Sequence, residues 1–301
     1  MAELTVERMT KRYGATLAVD DLSFTVNAGV VTGFLGPNGS GKSTTMRALL
    51  GLIKPTSGEA LVLGRHFHEL TNPIRTVGAS LDAADVHPGR TGRSHLRTLA
   101  AAAGLPVSRV DEVLDMVELT PARNRRVKGY SMGMRQRLAL AAALLGDPRI
   151  LMLDEPANGL DPQGMRWLRD ILRALAAEGR AVLISSHVLS EVEQTVDEVV
   201  VIGAGRLVMQ GGLAELVTRD QRPARVRSPR TGELRDLLEE AGARVTTDGR
   251  AGDILLVHRH TMEQIGTLAA EHGIAIFELT RDTGTLEDRF LELTGEKGNV
   301  R

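Results

Sequence analysis

With 301 residues, 42% of them apolar and 25% charged, the chain can bury a core sufficient for one large domain or two ordinary ones. Its 37 basic and 38 acidic residues leave a formal charge of −1, which excludes a global pull toward nucleic acid or an anionic membrane. The absence of cysteine excludes disulfides and thiolate metal centres and suits a reducing cytoplasm.

Short β-branched runs alternate with helical patterns as far as about Gly212, which predicts a parallel sheet covered on both faces, an α/β class. Strands are expected at Leu4–Glu7, Leu22–Val26 and Val30–Leu35. The third runs into Gly36-Pro37-Asn38-Gly39-Ser40-Gly41-Lys42-Ser43-Thr44, a G-x-x-x-x-G-K-[ST] match placed before a helix over Lys42–Leu50. Glycines there let successive N–H groups turn inward around phosphate oxygens, where a Cβ would obstruct them. Lys42 is then placed for the β- and γ-phosphates, and the Ser43 hydroxyl for Mg²⁺.

From Thr76 to about Arg126 the pattern turns helical, with Arg109–Val117 as one helix, and reads as an insertion reaching about residue 137. A helix over Met132–Leu145 opens on Ser131 and Gly133, a start whose free N–H groups and small hydroxyl suit an anion. A buried strand, Ile150–Asp154, ends in a carboxylate able to hold Mg²⁺. Glu155 is expected on the other face of that strand, beside the metal and placed to orient or deprotonate water. After a helix over Gly164–Ala177, the strand Ala181–Ser185 leads into His187, expected next to the strand bearing Asp154. A helix over Leu189–Thr195 and a strand over Glu198–Ile202 follow.

The basic run Arg219–Arg230 marks a boundary between residues 1–218 and an accessory or regulatory domain over 219–301. Beyond it come a strand (Arg225–Arg227), a helix (Leu234–Ala241), strands Ala243–Thr247 and Ile254–His258, a helix (Met262–Glu271) and a strand (Ala275–Glu278). This is the βαββαβ order of a ferredoxin-like α+β unit. The amphipathic segment TLEDRFLELTG is expected to close the chain as a helix. The pairs His66/His68 and His258/His260 raise metal sensing, against the plainer reading of polar surface positions.

Together these motifs resemble the ATP-binding cassette (ABC) superfamily over residues 1 to about 212. The resemblance implies a P-loop NTPase core with antiparallel β and α-helical subdomains, and an Mg²⁺-dependent ATPase. GPNGSGKST (Gly36–Thr44) resembles the Walker A loop, and ILMLDEP the Walker B strand with Glu155 as catalytic glutamate. NGLD (Asn158–Asp161) resembles the D-loop, which implies Asp161 at the nucleotide; His187 resembles the switch histidine and Tyr13 the aromatic that stacks on adenine. YSMGMRQRL resembles the LSGGQ signature, keeping Ser131 and Gly133 but carrying Met132 and Met134 where the family has Gly and Gln. In that family two cassettes meet head to tail, each signature capping the ATP held by the other, so a homodimer is implied.

Aligned on Val77-Gly78, Asp82 stands where the family carries a glutamine, and is implied as an oxygen donor to Mg²⁺ or its water. LEDRFLELTGE resembles the end of ATPase subunits of two-component exporters, implying a separate transmembrane permease, export of a drug, antibiotic or lipid, and a place on the inner face of the membrane. Ser80–Arg97 is implied beside the groove where the permease docks. The alternative is a soluble ABC ATPase acting on nucleic acid or ribosomes, for which Arg219–Arg230 is the one supporting feature, although a solvated linker is the preferred reading of that run and no nucleic-acid partner is expected. The opening residues show no apolar signal-peptide core and no apolar run nears the roughly 18–20 residues that span a bilayer, so a soluble chain is expected.

Overall fold

The computed structural model describes residues 2–81, 86–188, 193–213, 223–247 and 254–281. These fall into two compact units, one over 2–213 and the other over 223–281. The expected boundary at 218/219 lies outside the described residues.

The first unit holds two sheets. β1 (Ala2–Tyr13) pairs antiparallel with both β2 (Thr16–Asn27) and β4 (Ser57–Val62). Leu4, Val6, Met9, Val19, Leu22, Phe24 and Val26 are the buried apolar positions of β1 and β2. The second sheet runs β5-β6-β7-β3-β8-β9, formed by β5 (Val77–Ser80), β6 (Ile150–Leu153), β7 (Ala181–Ser186), β3 (Val31–Leu35), β8 (Glu198–Gly203) and β9 (Arg206–Gly212). All neighbours are parallel except β9, which returns antiparallel on β8. Every residue of β3, β6 and β7 is buried. Strands covered on both faces call for largely apolar runs, which is how β6 and the first four residues of β7 read in the sequence.

Phe34 on β3 is fully buried, its ring 5.1 Å from that of Phe24. Truncating it leaves a cavity between the two sheets. Phe34→Ala is expected to lower stability by about 3–5 kcal/mol in urea or thermal unfolding.

The helices are α1 (Lys42–Leu49), α2 (Pro73–Thr76), α3 (Gly92–Ala102), α4 (Ser108–Met116), α5 (Met132–Leu144) and α6 (Pro162–Ala177). α3, α4 and the first half of α5 form the helical insertion, joined through Leu96, Ala100, Val110, Val113, Leu114 and Leu138. Three caps fix helix starts: Thr91, Ser131 and Asp161 accept from the backbone N–H groups of Ser94, Met134 and Gly164.

Five strands of this unit depart from the sequence expectation, β2 by opening at Thr16, six residues before the Leu22 expected. β1 is three times the length foreseen, its outer half being polar except for the buried Met9. β4 and β9 were not foreseen. β5 lies inside the stretch taken as helical, so the insertion begins after it. Its pattern, VGAS, hides a strand because α5 crosses it closely: a Cβ on Gly78 would stand 2.0 Å from the Ala143 carbonyl oxygen. The helix expected over Leu189–Thr195 lies mostly outside the described residues, and 193–195 form a turn.

The second unit contains β10 (Ala224–Arg227), α7 (Thr231–Glu240), β11 (Arg244–Thr247), β12 (Ile254–His258), α8 (Met262–Glu271) and β13 (Glu278–Arg281). The strands run β11-β12-β10-β13, all antiparallel, the arrangement of a split βαβ unit. Val226, Leu234, Leu238, Leu255, Val257 and Ile265 fill its core. The last strand starts three residues later than expected, because Leu279 stands opposite Val226 over the helices. TLEDRFLELTG lies outside the described residues.

Candidate active site

β3, β7 and β6 are adjacent and parallel, with Leu35 level with Ser186 and Leu153 level with Ile184. The loops that follow these strands therefore open on one edge of the sheet, the edge where open α/β sheets place ligands. The loop after β3, Gly36–Gly41, is packed too tightly for a side chain at its two ends, Gly36 and Gly41. A Cβ on Gly36 would come within 2.5 Å of Ser40 Oγ and 2.6 Å of the Ile202 carbonyl oxygen. Gly41 has φ of 105° and would meet the Ala18 carbonyl oxygen at 2.6 Å. Ser40 N–H closes the turn on the Pro37 carbonyl at 3.1 Å, while Pro37, Asn38 and Gly39 are exposed along its rim.

Lys42 is buried and curls back into this loop, donating to the Gly36 carbonyl at 2.6 Å and to that of Pro37 at 3.3 Å. Burial holds its ammonium below the ordinary lysine range, and the carboxylates of Glu155 and Asp154 pull it partly back. Ser43 and Thr44, one step along α1, are half-buried. Thr45 Oγ1 bonds the Gly41 carbonyl at 2.9 Å, tying the helix start to the loop.

Across the edge, Ser185 Oγ at the end of β7 donates to Asp154 Oδ1 and accepts from Glu155 N–H at 2.9 Å. β6 ends at Leu153, and Glu155 takes a left-handed backbone with φ of 50°. The alternation expected of a strand therefore does not set its direction; the turn does. Its carboxylate reaches both ways, with Oε1 3.8 Å from Lys42 Nζ and Oε2 2.8 Å from His187 Nδ1. An ionised carboxylate only accepts, so Nδ1 carries the proton and Nε2 is left as an acceptor in the neutral ring. Lys42, Glu155 and His187 thus form one polar line, with Asp154 bound to it through Ser185.

The remaining expected residues sit elsewhere. Tyr13 stands at the β1–β2 hairpin, 47% exposed, with Lys11 Nζ 5.0 Å from its ring centre. The same hairpin touches the loop, since Gly41 abuts Ala18 and Val19. At the start of α5, a Cβ on Gly133 would stand 3.4 Å from Leu160 Cδ2, while Ser131 Oγ accepts from Met134 N–H in its own helix. Asp161 is exposed and caps α6 through Gly164 N–H at 2.7 Å. Asp82 lies outside the described residues. Among those residues no group of three or more His, Asp or Glu side chains is arranged to hold a metal. His66 and His68 stack at 5.6 Å, with His66 engaged in a capping box with Glu69.

A family described as ABC transporter matches residues 19–158, from the Gly41-facing strand through the turn after Glu155. A Bacillus subtilis (strain 168) protein described as an uncharacterized ABC transporter ATP-binding protein is 39% identical over 298 residues, covering 97% of this chain and 96% of its own. The chain belongs to the ABC transporter ATP-binding proteins. This ABC cassette is also 37% identical over 292 residues to a bacitracin transport ATP-binding protein of Bacillus licheniformis, with 95% of each chain covered. A solved structure of an ATP binding subunit of an ABC transporter aligns with a TM-score of 0.65 at 26% identity, covering 72% of this cassette and 92% of that chain. A domain of unknown function matches residues 222–287, across the second unit.

Sequence reasoning passed over two parts of the ABC cassette's site. Ser185, read only as a strand end, is the hydroxyl that joins Asp154 to the Glu155 backbone. Gln136, on the exposed start of α5, donates to the Asn158 carbonyl at 3.2 Å. Neither has a spacing signal, because each contact joins residues at least 22 positions apart.

Proposed function

We propose that this ABC ATPase hydrolyses ATP with Mg²⁺ at the Gly36–Thr44 loop, as a homodimer whose two sites each draw on both chains, and that it powers a separate transmembrane permease. The carrying observation is the line Lys42–Glu155–His187 at the mouth of a loop whose Gly36 and Gly41 have no room for a Cβ. A loop of this shape offers backbone N–H groups and the Lys42 ammonium to a triphosphate. Ser43 and Asp154 supply one hydroxyl and one carboxylate, the sparse donor set that suits Mg²⁺ when phosphate oxygens and water complete its shell. Asp82 is the third proposed donor. When bound, Mg²⁺ neutralises charge on the phosphates.

Glu155 accepts a proton from, or orients, the attacking water, and His187 holds its carboxylate in place. Tyr13 lies under the adenine, and Asp161 borders the site. Ser131 and Gly133, at the capped start of α5, present an N-terminal helix start to the ATP of a second copy. Among the described residues no helix is long and apolar enough to cross a membrane, so the membrane step falls to another protein. The relative named for bacitracin transport supports, among export of a drug, antibiotic or lipid, an antibiotic as the cargo. The second unit is proposed as an accessory domain of this subunit.

The dimer is tested by dilution. Specific ATPase rate should rise with protein concentration and then level off, as two chains are needed for each site. A flat rate across the range in which the protein is monomeric by light scattering overturns the shared site.

A further inference from the structure

Met132, the first residue of α5, is 59% exposed, yet its side chain lies on Gly159. A Cβ at Gly159 would stand 2.6 Å from Met132 Cγ, 3.0 Å from Sδ and 3.2 Å from Cε. Gly159 has φ of 75°, a left-handed conformation that places its bare α-carbon under the methionine. Two further contacts lie alongside: the Gly133 α-carbon packs near Leu160 Cδ2, and Gln136 Nε2 donates to the Asn158 carbonyl at 3.2 Å. Positions 132, 133 and 136 thus grip three consecutive residues of the turn. That turn is in its own right bonded to the catalytic strand end, through Asn158 N–H to the Glu155 carbonyl at 3.2 Å.

We propose that Met132 is a positioning residue: seated on Gly159, it locks the start of α5 to the 158–160 turn, so that the place of Ser131 and Gly133 is mechanically tied to the place of Glu155 in the same chain. A long unbranched thioether suits this role, since it covers an α-carbon without needing a shaped pocket. A displaced helix start shifts the turn, and a displaced turn shifts the carboxylate. The proposal rests on the roles given above to Glu155 and to the α5 start.

The test is a double-mutant cycle on the full-length protein, measuring steady-state ATPase at saturating protein and binding of a fluorescent ATP analogue. Met132→Ala should lower kcat about ten- to a hundredfold with KM for ATP and analogue binding little changed, since misplacement of a reacting group acts on turnover. Met132→Leu, of similar volume, should recover most of that loss. Gly159→Ala pushes the exposed methionine off from the other side and should also lower kcat. If the two surfaces act through one contact, the combined variant should be little worse than Met132→Ala alone.

Losses that multiply in the double variant, or a Met132→Ala kcat within about twofold of the parent, would overturn the lock. Thermal melting of each variant separates unfolding from misplacement, and the Gly159→Ala arm stands if Met132→Ala melts early. Glu155→Gln run in parallel keeps the two readings apart. An inactive Glu155→Gln beside a fully active Met132→Ala rejects the lock alone, whereas an active Glu155→Gln rejects the site.

Discussion

Glu155→Gln is expected to abolish turnover, by about 10²–10⁴-fold, while leaving ATP binding intact. The amide keeps the size and the left-handed backbone of Glu155, and the Ser185 bond to its N–H is untouched. What it loses is the capacity to accept a proton from water and the charge that faces Lys42 and His187. Lys42 sits 3.8 Å from that charge, so the neutral side chain also leaves the buried ammonium more available to phosphate. Binding should therefore hold or tighten, and under the two-chain reading ATP-loaded dimer should accumulate. Single-turnover measurements with labelled ATP, together with size-exclusion chromatography, check both parts. Full activity in this variant removes Glu155 from the chemistry.

Lys42→Ala should produce the second large effect, on binding rather than turnover. A charge-assisted hydrogen bond is worth about 1.5–3 kcal/mol, and loss of the one ammonium in the loop should weaken ATP binding by about ten- to a hundredfold or more. Stability should move the other way. Burial pushes the Lys42 pKa down, which means that the charged form is disfavoured in the folded protein relative to the unfolded chain. The folded state then binds fewer protons than the unfolded one between the lowered value and the ordinary lysine value of 10.5, so this contribution to stability rises with pH through that window. At neutral pH the ammonium costs the fold stability, and its removal should leave the melting temperature equal or higher. Isothermal titration with ATP and a melting series from pH 7 to 10 separate the two effects. A variant that melts early yet binds ATP normally contradicts this account of Lys42.

The Gly36–Ser43 loop was legible because its chemistry is local: the residues that hold a phosphate are contiguous, and a glycine is demanded wherever a backbone turn leaves no room. The apolar runs Ile150–Leu153 and Ala181–Ile184 were legible because a strand stretch buried on both faces has few polar positions to blur it. β5 was hidden for the opposite reason. Its Gly78 answers to a helix 65 residues further on, so its composition records a packing demand and not a strand propensity.

Strand alternation does not set the direction of the Glu155 side chain, because β6 ends at Leu153 and the φ of Glu155 is left-handed. The caps were half legible: Ser131 and Asp161 were recognised as special, but their hydroxyl and carboxylate turn out to be bonded to Met134 and Gly164 in their own helices. In the second unit the βαββαβ order could be read from turn residues, while the register of its last strand needed the core, since Leu279 and not Ile276 stands opposite Val226.

By itself, then, the order of residues determined the kind of ligand, the parallel strands that carry its contacts, and the family to which the chain belongs. Only the tertiary structure decided that Ser185 joins Asp154 to Glu155, that Glu155 spans Lys42 and His187, and that Met132 sits on Gly159. The reason is one of range. A phosphate-binding turn is specified by backbone freedom over nine adjacent positions, Gly36 to Thr44, whereas a hydrogen bond or a steric seat between residues 27 to 113 apart depends on how the sheet and helices bring distant turns together.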